Sequence, residues 1–276
     1  MKTRSRFTAA LISSPHVVWA IIFILVPLAL IVYYAFTDAA GSFSLQNIAN
    51  LSKYTDTFIL SIWLGLLATV ICLIVAYPIA YIIAQSSASA QRTMIMLVMV
   101  PMWMNFLIRT YSWMAILEDT GIINSLLSKI GMPNFHMINT RGAVVLGMVY
   151  NFLPYMILPI YSVMVKLDKN LIEACSDLGG SKMDVLGKVI FPLTLPGIIS
   201  GLTMVFVPSV STFYISEKLG GPSTKLIGDM IEGQFQTSNN YNMGAALSLV
   251  LMIMILACMA VMNKFSDEES GGGLIL

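Results

Sequence analysis

Charged residues are scarce in this sequence. Asp, Glu, Lys and Arg together make up 11% of the 276 residues, whereas soluble domains average about 25%. Hydrophobic residues account for 57%, and the mean hydropathy is +0.82. This balance excludes an ordinary soluble domain and predicts an all-α integral membrane protein. The net charge of +1, with no basic face interleaved with aromatic residues, gives no indication of nucleic-acid binding.

Cysteine and histidine are scarce as well. Cys72, Cys175 and Cys258 are scattered along the chain, and His16 and His136 lie far apart in it. The sequence contains no CxxC or HxxxH spacing, so we expect neither a disulfide framework nor a metal site. We also predict no catalytic residues.

A nucleotide-binding P-loop is missing. The pattern G-x-x-x-x-G-K-[ST] is needed because its backbone amides hold phosphates. The nearest match, at Gly187-Lys188, has Lys182 in place of the first glycine and Val189 in place of the hydroxyl residue. We therefore expect that this chain is not an enzyme and holds no cofactor, and that any energy from ATP comes from another subunit.

Six hydrophobic stretches are long enough to cross a bilayer, since about 20 apolar residues span its core of about 30 Å. The six predicted spans are Val17–Phe36, Phe58–Ala84, Thr93–Leu117, Ala143–Val165, Leu193–Ile215 and Gly244–Met262. We expect them to form a single transmembrane domain over residues 1–276.

The distribution of lysine and arginine predicts the orientation. If the N-terminus is inside, the inner segments carry most of these residues, among them Lys2, Arg4 and Arg6. Because positive residues mark the cytoplasmic side, we predict that both termini and the loop of residues 166–192 are cytoplasmic. A multi-pass protein of a bacterial plasma or inner membrane is expected.

The loop between the fourth and fifth spans carries an unusual pattern. Asp168 precedes Lys169–Ala174, which predicts a helix with an acidic N-cap. Gly179 and Gly180 can end this helix in a left-handed turn. A second amphipathic segment, Ser181–Ile190, leads into the next span. Such a helix either presents a face to a soluble partner or rests on lipid headgroups.

This loop resembles the EAA loop of permease subunits of ATP-binding-cassette (ABC) importers. That pattern is Glu-Ala-Ala, three residues, Gly, nine residues, Ile, one residue and Leu-Pro. Here Glu173-Ala174, Gly179, Val189 and Phe191-Pro192 occupy the corresponding positions, and Cys175 stands for the second alanine. Each departure from the pattern replaces one apolar residue by another.

Other segments resemble the first permease of spermidine/putrescine transport systems, over a region from about Phe58 to the last span. They are Asn105–Arg109, Tyr150–Pro159, Leu167–Lys169, Pro192–Gly197, Phe213–Glu217 and Leu226–Gly228. The resemblance implies a type I ABC importer permease that imports polyamines by alternating access.

The same resemblance implies partners. Glu173, Ala174, Asp177 and Gly179 would contact a dimer of ATPase subunits that bind ATP and Mg. A second homologous permease subunit would complete the pathway. An extracytoplasmic substrate-binding protein would dock on the outer loops, which are expected at Thr37–Thr57, Glu118–Gly142 and Ser216–Met243.

A path for polyamines needs carboxylates and aromatic faces, because cation–π contacts are worth about 0.5–2 kcal/mol each. The candidate pathway and gate residues are Trp103, Asn105, Arg109, Tyr111, Tyr150, Asn151, Tyr155, Tyr161, Tyr214 and Glu217. The rings among them fit equally well in an interfacial belt or a packed core. For Arg109, one hypothesis is snorkelling to the interface and the other is a gate latch with Glu217 or Glu118.

Alternative functions remain open from the sequence. The same machine could carry an amino acid, a phosphonate or an iron complex. A secondary transporter or channel without an ATPase predicts inverted repeats or intramembrane carboxylates, and neither is visible. A membrane scaffold is the third alternative.

Overall fold

The computed structural model describes residues 15–270, and this part of the chain is helical. Its β pairing is limited to an isolated antiparallel bridge between Thr37 and Phe43. The chain begins with α1 (Pro15–Ala35), which contains a π-helical turn at Ile21–Leu25. Two short helical turns, Gln46–Ala49 and Asn50–Tyr54, then lead into α2.

The remaining helices follow in chain order. They are α2 (Thr55–Gln85), α3 (Ala88–Trp103), α4 (Phe106–Leu117), α5 (Ile122–Lys129), α6 (Arg141–Met164), α7 (Lys169–Asp177), α8 (Lys182–Ser211), α9 (Ile227–Gln236) and α10 (Tyr241–Ser270). A π-helical turn at Val185–Ile190 lies within α8.

Five helical stretches of residues 15–270 are long and apolar enough to cross a membrane, and a bent pair of helices could provide a sixth span. The five are Pro15–Ala35, Gln46–Gln85, Arg141–Met164, Lys182–Ser211 and Tyr241–Met262. The bent pair is Ala88–Trp103 with Phe106–Lys129, and its two arms meet at 90°.

The bent pair differs from the sequence-based expectation of one continuous span at Thr93–Leu117. Pro101 lies in the last turn of α3, and Met104 leaves the helix with an extended backbone. The side chain of Asn105 then accepts a hydrogen bond from the amide of Leu107 at 2.8 Å and so begins α4 as a new helix. The depth of Arg109 in the membrane therefore cannot be counted along one straight helix.

The helix expected over Leu193–Ile215 also ends early, at Ser211. Thr212 has an extended backbone, with ψ of 146°. The chain then forms a π-helical turn at Ser216–Gly220, and Gly221 follows with φ of 61°. Tyr214 and Glu217 therefore lie in a segment after the helix, which we call segment 212–229.

The chain forms two compact units. One comprises residues 15–55 together with Met230–Ile253, and the other comprises Asp56–Asp229 and residues 254–270. In the first unit, Ala35 packs with Ala245, Ala246 and Leu249. The candidate site residues lie in the second unit.

The core of the second unit lies between α2, α6 and α8. Cys72, Met156 and Val205 belong to one buried cluster there. Helices α6 and α8 approach closely at Gly201, where an added Cβ would lie 2.7 Å from the sulfur of Met156. Small residues permit such approach between membrane helices, where van der Waals packing drives association.

Candidate functional site

Helix α7 lies in loop 166–192 and is bounded by local hydrogen bonds at both ends. The carboxylate of Asp168 accepts a bond from the amide of Asn170 at 3.0 Å. At the other end, the amide of Gly180 donates to the carbonyl of Cys175 at 3.0 Å, and that of Gly179 to Ser176 at 2.9 Å. These two bonds form a Schellman motif. The structure thus confirms the predicted acidic N-cap and the left-handed turn.

Gly179 has the backbone conformation that this turn requires. Its φ is +84°, and no heavy atom lies within 4 Å of the position of an added Cβ. Glycine adopts this backbone conformation at little cost in energy, whereas other residues are strained in it. The space around the Cβ position would not exclude a side chain. The turn is therefore exposed at the position where a side chain of residue 179 would lie.

The helix after the turn begins with a capping box. The hydroxyl of Ser181 accepts a bond from the amide of Asp184, and the carboxylate of Asp184 accepts one from the amide of Ser181. Asp184 also forms an ion pair of 2.6 Å with Lys188. The S-x-x-D spacing is a known signal for this cap, and it could have identified the helix start more sharply.

The two sides of α7 differ in burial. Ile172 and Cys175 pack against the buried cluster that contains Val185 and Ile190. By contrast, Leu171 is 47% exposed and Leu178 is 90% exposed. Only part of the apolar face of α7 is therefore buried within this chain.

The four residues expected to couple to an ATPase share the exposed side of this loop. They are Glu173, Ala174, Asp177 and Gly179. Together with the side chain of Leu178 they form a surface that is partly apolar and partly acidic. Such a surface is available to a soluble partner.

Arg109 occupies an unusual position in α4. Its side chain is only 8% exposed, and its Nε and Nη1 atoms are buried without a hydrogen-bond partner. The guanidinium carbon lies 5.9 Å from the ring centre of Phe106. Among the side chains that the structure describes, no carboxylate forms an ion pair with Arg109, so the structure contradicts the hypothesis of a latch with Glu217 or Glu118.

Glu217 instead pairs with its neighbour Lys218, at 2.7 Å between Oε1 and Nζ. The Lys218 ammonium also lies 5.5 Å from the ring centre of Tyr214. The Tyr214 ring lies edge-on to that of Tyr111, with 6.1 Å between centroids. The structure therefore brings Tyr111, Tyr214 and Glu217 together, with Lys218 as an additional member that the sequence did not suggest.

The other pathway candidates do not join this cluster. Trp103 is 71% exposed and Tyr155 is 40% exposed. Asn105 caps α4, and Asn151 is buried with its amide donating to the carbonyl of Gly147 at 2.8 Å.

Two further tyrosines contact other side chains. The ring of Tyr150 lies edge-on to that of Trp113, with 5.4 Å between centroids. The hydroxyl of Tyr161 donates to the side chain of Gln91 at 3.2 Å. Their contacts are those of packed core residues.

Segment 212–229 is held by hydrogen bonds that the sequence did not reveal. The carboxylate of Asp229 accepts bonds from the hydroxyl of Ser216 at 2.9 Å and from the amide of Leu226 at 2.6 Å. The amide of Ile227 donates to the hydroxyl of Ser61 in α2 at 2.8 Å. No local signal marks Ser61, because its partner is 166 residues away.

Where side chains are described, no three from His, Cys, Asp or Glu lie close enough together to hold a metal ion. The site residues described above are exposed carboxylates, aromatic rings and a lysine. These groups suit binding and transfer of force.

The long apolar helices define the class as a multi-span membrane protein, with an exposed helix between the α6 and α8 spans. Residues 76–267 match the family described as binding-protein-dependent transport system inner membrane component. The chain belongs to this family. It is a permease subunit of an inner-membrane transport system.

Curated relatives agree with this family. The chain is 35% identical to the spermidine/putrescine transport system permease protein PotB of Haemophilus influenzae, and the alignment covers 96% of each chain. It is 34% identical to the protein of the same name from Escherichia coli, over 86% of this chain and 90% of that one.

Solved structures share the fold. A bacterial ABC transporter that imports the acidic polysaccharide alginate contains a chain with a TM-score of 0.78, 17% identity and 96% coverage of both chains. The inward-facing MetNI methionine ABC transporter gives a TM-score of 0.53 at 15% identity, covering 77% of this chain and 92% of that one. The protein therefore has the type I ABC importer permease fold.

Proposed function

We propose that this chain forms half of the translocation pathway of an ATP-driven importer of polyamines. The observation that carries this proposal is the 35% identity to a spermidine/putrescine permease over 96% of both chains. A similarity that extends from end to end includes the spans as well as the loop 166–192. It therefore supports polyamines as the cargo, in addition to the assignment as a permease subunit of an importer.

In this proposal, loop 166–192 faces the cytoplasm and docks on a dimer of ATPase subunits, which bind ATP and Mg. Three features support this role: the exposed Glu173 and Asp177, the 90% exposure of Leu178, and the packing of Ile172 on the buried cluster. An exposed large apolar residue beside charged groups is typical of an interaction surface. Closure of the ATPase dimer would push α7, and α7 would pass the motion to α8.

The cluster of Tyr111, Tyr214 and Glu217 is the proposed point of contact with the cargo. Lys218 places a primary ammonium between the Glu217 carboxylate and the Tyr214 ring, at 2.7 Å and 5.5 Å respectively. A polyamine carries the same ammonium group. It could replace Lys218 at this position and form the same charge-assisted hydrogen bond and cation–π contact.

The proposed transport cycle needs two further partners. A second homologous permease subunit supplies the other half of the pathway, and an extracytoplasmic binding protein delivers the polyamine. Both termini lie in the cytoplasm. Alternating access then follows from the motion of the spans between two packings, as in other bistable membrane proteins.

The test is uptake by vesicles that contain the assembled importer, with spermidine and a phosphonate as competing cargoes. We expect ATP-dependent spermidine uptake that the phosphonate does not reduce. Glu217→Gln should reduce spermidine uptake by about tenfold, since an ionised hydrogen-bond partner contributes about 1.5–3 kcal/mol. Uptake of the phosphonate in preference to spermidine would contradict the proposed polyamine cargo. Uptake by this subunit without an ATPase would contradict the proposed ATP-driven mechanism.

A further inference from the structure

A groove of about 500 Å³ runs between α2 and α6, and Leu64 and Val145 of a buried cluster form part of its lining. Its principal lining residues are Trp63, Leu67 and Ile71 from α2, and Arg141, Leu146 and Val149 from α6. Trp63 is 60% exposed, and Leu67 and Leu146 are each 38% exposed. The groove is therefore open to the surroundings of the helices, which in a membrane are lipid.

The two ends of the groove differ in chemistry. Helices α2 and α6 run in the same direction here, because Leu64 packs with Ala143 and Val144, whereas Cys72 lies 3.8 Å from the carbonyl of Val149. Trp63 and Arg141 consequently lie at one end, and Ile71 and Val149 at the other. Tryptophan and arginine are the residues that mark the headgroup level of a bilayer.

The length of the groove fits one acyl chain. On each helix the lining residues span nine positions, whose eight intervals of 1.5 Å cover about 12 Å. One leaflet of the hydrocarbon core is about 15 Å thick, half of about 30 Å. The aliphatic part of the groove thus extends from the interface to near the middle of the membrane.

The charge at the mouth favours an anion. Among the side chains that the structure describes, no carboxylate forms an ion pair with Arg141. The adjacent Gly142 leaves room, since an added Cβ would meet only the hydroxyl of Thr140, at 3.7 Å. A phosphate can therefore approach the guanidinium, which binds phosphate oxygens in a bidentate way.

We propose that this groove is a binding site for one anionic phospholipid, with an acyl chain between α2 and α6 and the phosphate on Arg141. The lipid belongs to the leaflet in which α6 begins. It fills the outward face of the α2–α6 pair, whose inward face packs in the core of the permease. The proposal does not depend on the cargo.

Quenching of Trp63 fluorescence in the assembled importer tests the site. The chain has four tryptophans, so Trp19, Trp103 and Trp113 are first replaced by phenylalanine. Phosphatidylglycerol and phosphatidylcholine, each brominated near the headgroup end of the acyl chain, are then compared. We expect phosphatidylglycerol to reach half-maximal quenching at an about tenfold lower mole fraction, as one charge-assisted contact of about 1.4 kcal/mol would give.

Arg141→Gln should abolish this preference, whereas Arg141→Lys should retain most of it. Lys129→Gln is the matched control: it removes a cation outside the groove and should leave the preference unchanged. If Arg141→Gln fails to fold, the native protein still tests the proposal, because salt should reduce the preference.

Two results would overturn the proposal. Equal quenching by both lipids, with or without Arg141, would mean that the groove holds only ordinary solvating lipid. Quenching by neither lipid in the assembled importer, but by both in the isolated chain, would mean that a helix of another subunit covers the groove.

Discussion

Loop 166–192 and segment 212–229 both connect longer helices, yet they are held in different ways. In the loop, the side-chain hydrogen bonds join near neighbours, such as Asp168 with Asn170 and Ser181 with Asp184. In segment 212–229, Ile227 bonds to Ser61, 166 residues away. Loop 166–192 is thus held by bonds between residues that are close in sequence, whereas segment 212–229 also depends on a bond to a distant helix.

This difference bears on what each connection can do. A helix with its own caps and few buried contacts can shift as a unit, because little tertiary structure has to break. A segment tied to a distant helix moves only with that helix. We therefore expect loop 166–192 to transmit motion. We expect segment 212–229 to move only together with the helices on which it packs.

The largest effect is expected from reversing a charge on the exposed side of the loop. Glu173→Lys should lower ATP-dependent uptake by about tenfold or more, since like charges at an interface cost several kcal/mol. Thermal stability and membrane insertion of the subunit should not change, because the side chain of Glu173 is exposed. Uptake in vesicles and melting in detergent are the two measurements.

Lys166→Glu is a matched charge reversal outside α7 and should retain most of the uptake. If Glu173→Lys transports normally, the loop does not receive force from an ATPase. If that variant fails to insert, Glu173→Gln, which removes the charge and keeps the shape, should show a smaller loss of uptake.

A second test addresses the turn that ends α7. Gly179→Ala places a Cβ at a φ of +84°, which costs about 1–2 kcal/mol. Uptake should fall by about fivefold, with normal insertion. Gly187→Ala is the control, since a Cβ there meets no atom within 4 Å and the backbone is helical. Equal effects of the two variants would show that the left-handed turn has no special role.

A third test breaks the long-range tie of segment 212–229. Ser61→Ala leaves the buried amide of Ile227 without its acceptor, at a cost of about 1–3 kcal/mol. Each kcal/mol should lower the melting temperature by about 2–4 °C. Ser200→Ala removes an exposed hydroxyl that bonds only within its own helix, and it should melt like the wild type. If the Ser61 variant melts at the same temperature as the wild type, the bond to Ser61 does not stabilise segment 212–229.

The smallest effect is expected at Arg109, whose buried Nε and Nη1 atoms have no partner. Arg109→Met should leave the melting temperature of the isolated subunit unchanged or raise it by about 2 °C, because an unpaired buried charge is unfavourable. Arg109→Lys keeps the charge and should not be stabilising. A fall of several degrees in the methionine variant would show that the guanidinium has a partner that stabilises the fold.

Sequence reasoning succeeded where the governing interactions are local. It predicted the cap at Asp168 and the turn at Gly179, because both depend on residues within a few positions. It also predicted the membrane class, since hydropathy is a property of each stretch by itself. It did not predict the 90° bend between α3 and α4, although Pro101 and the Asn105 cap lie at the break.

The sequence by itself determined that the chain is a helical membrane protein and where α7 begins and ends. Only the tertiary structure decided which charges meet. In the sequence, Arg109 and Glu217 are candidates for an ion pair. In the structure, Nε and Nη1 of Arg109 are buried without a hydrogen-bond partner, and Glu217 forms an ion pair with Lys218. The reason is physical: capping and hydropathy act within a few residues, whereas an ion pair depends on the positions of helices that only packing fixes.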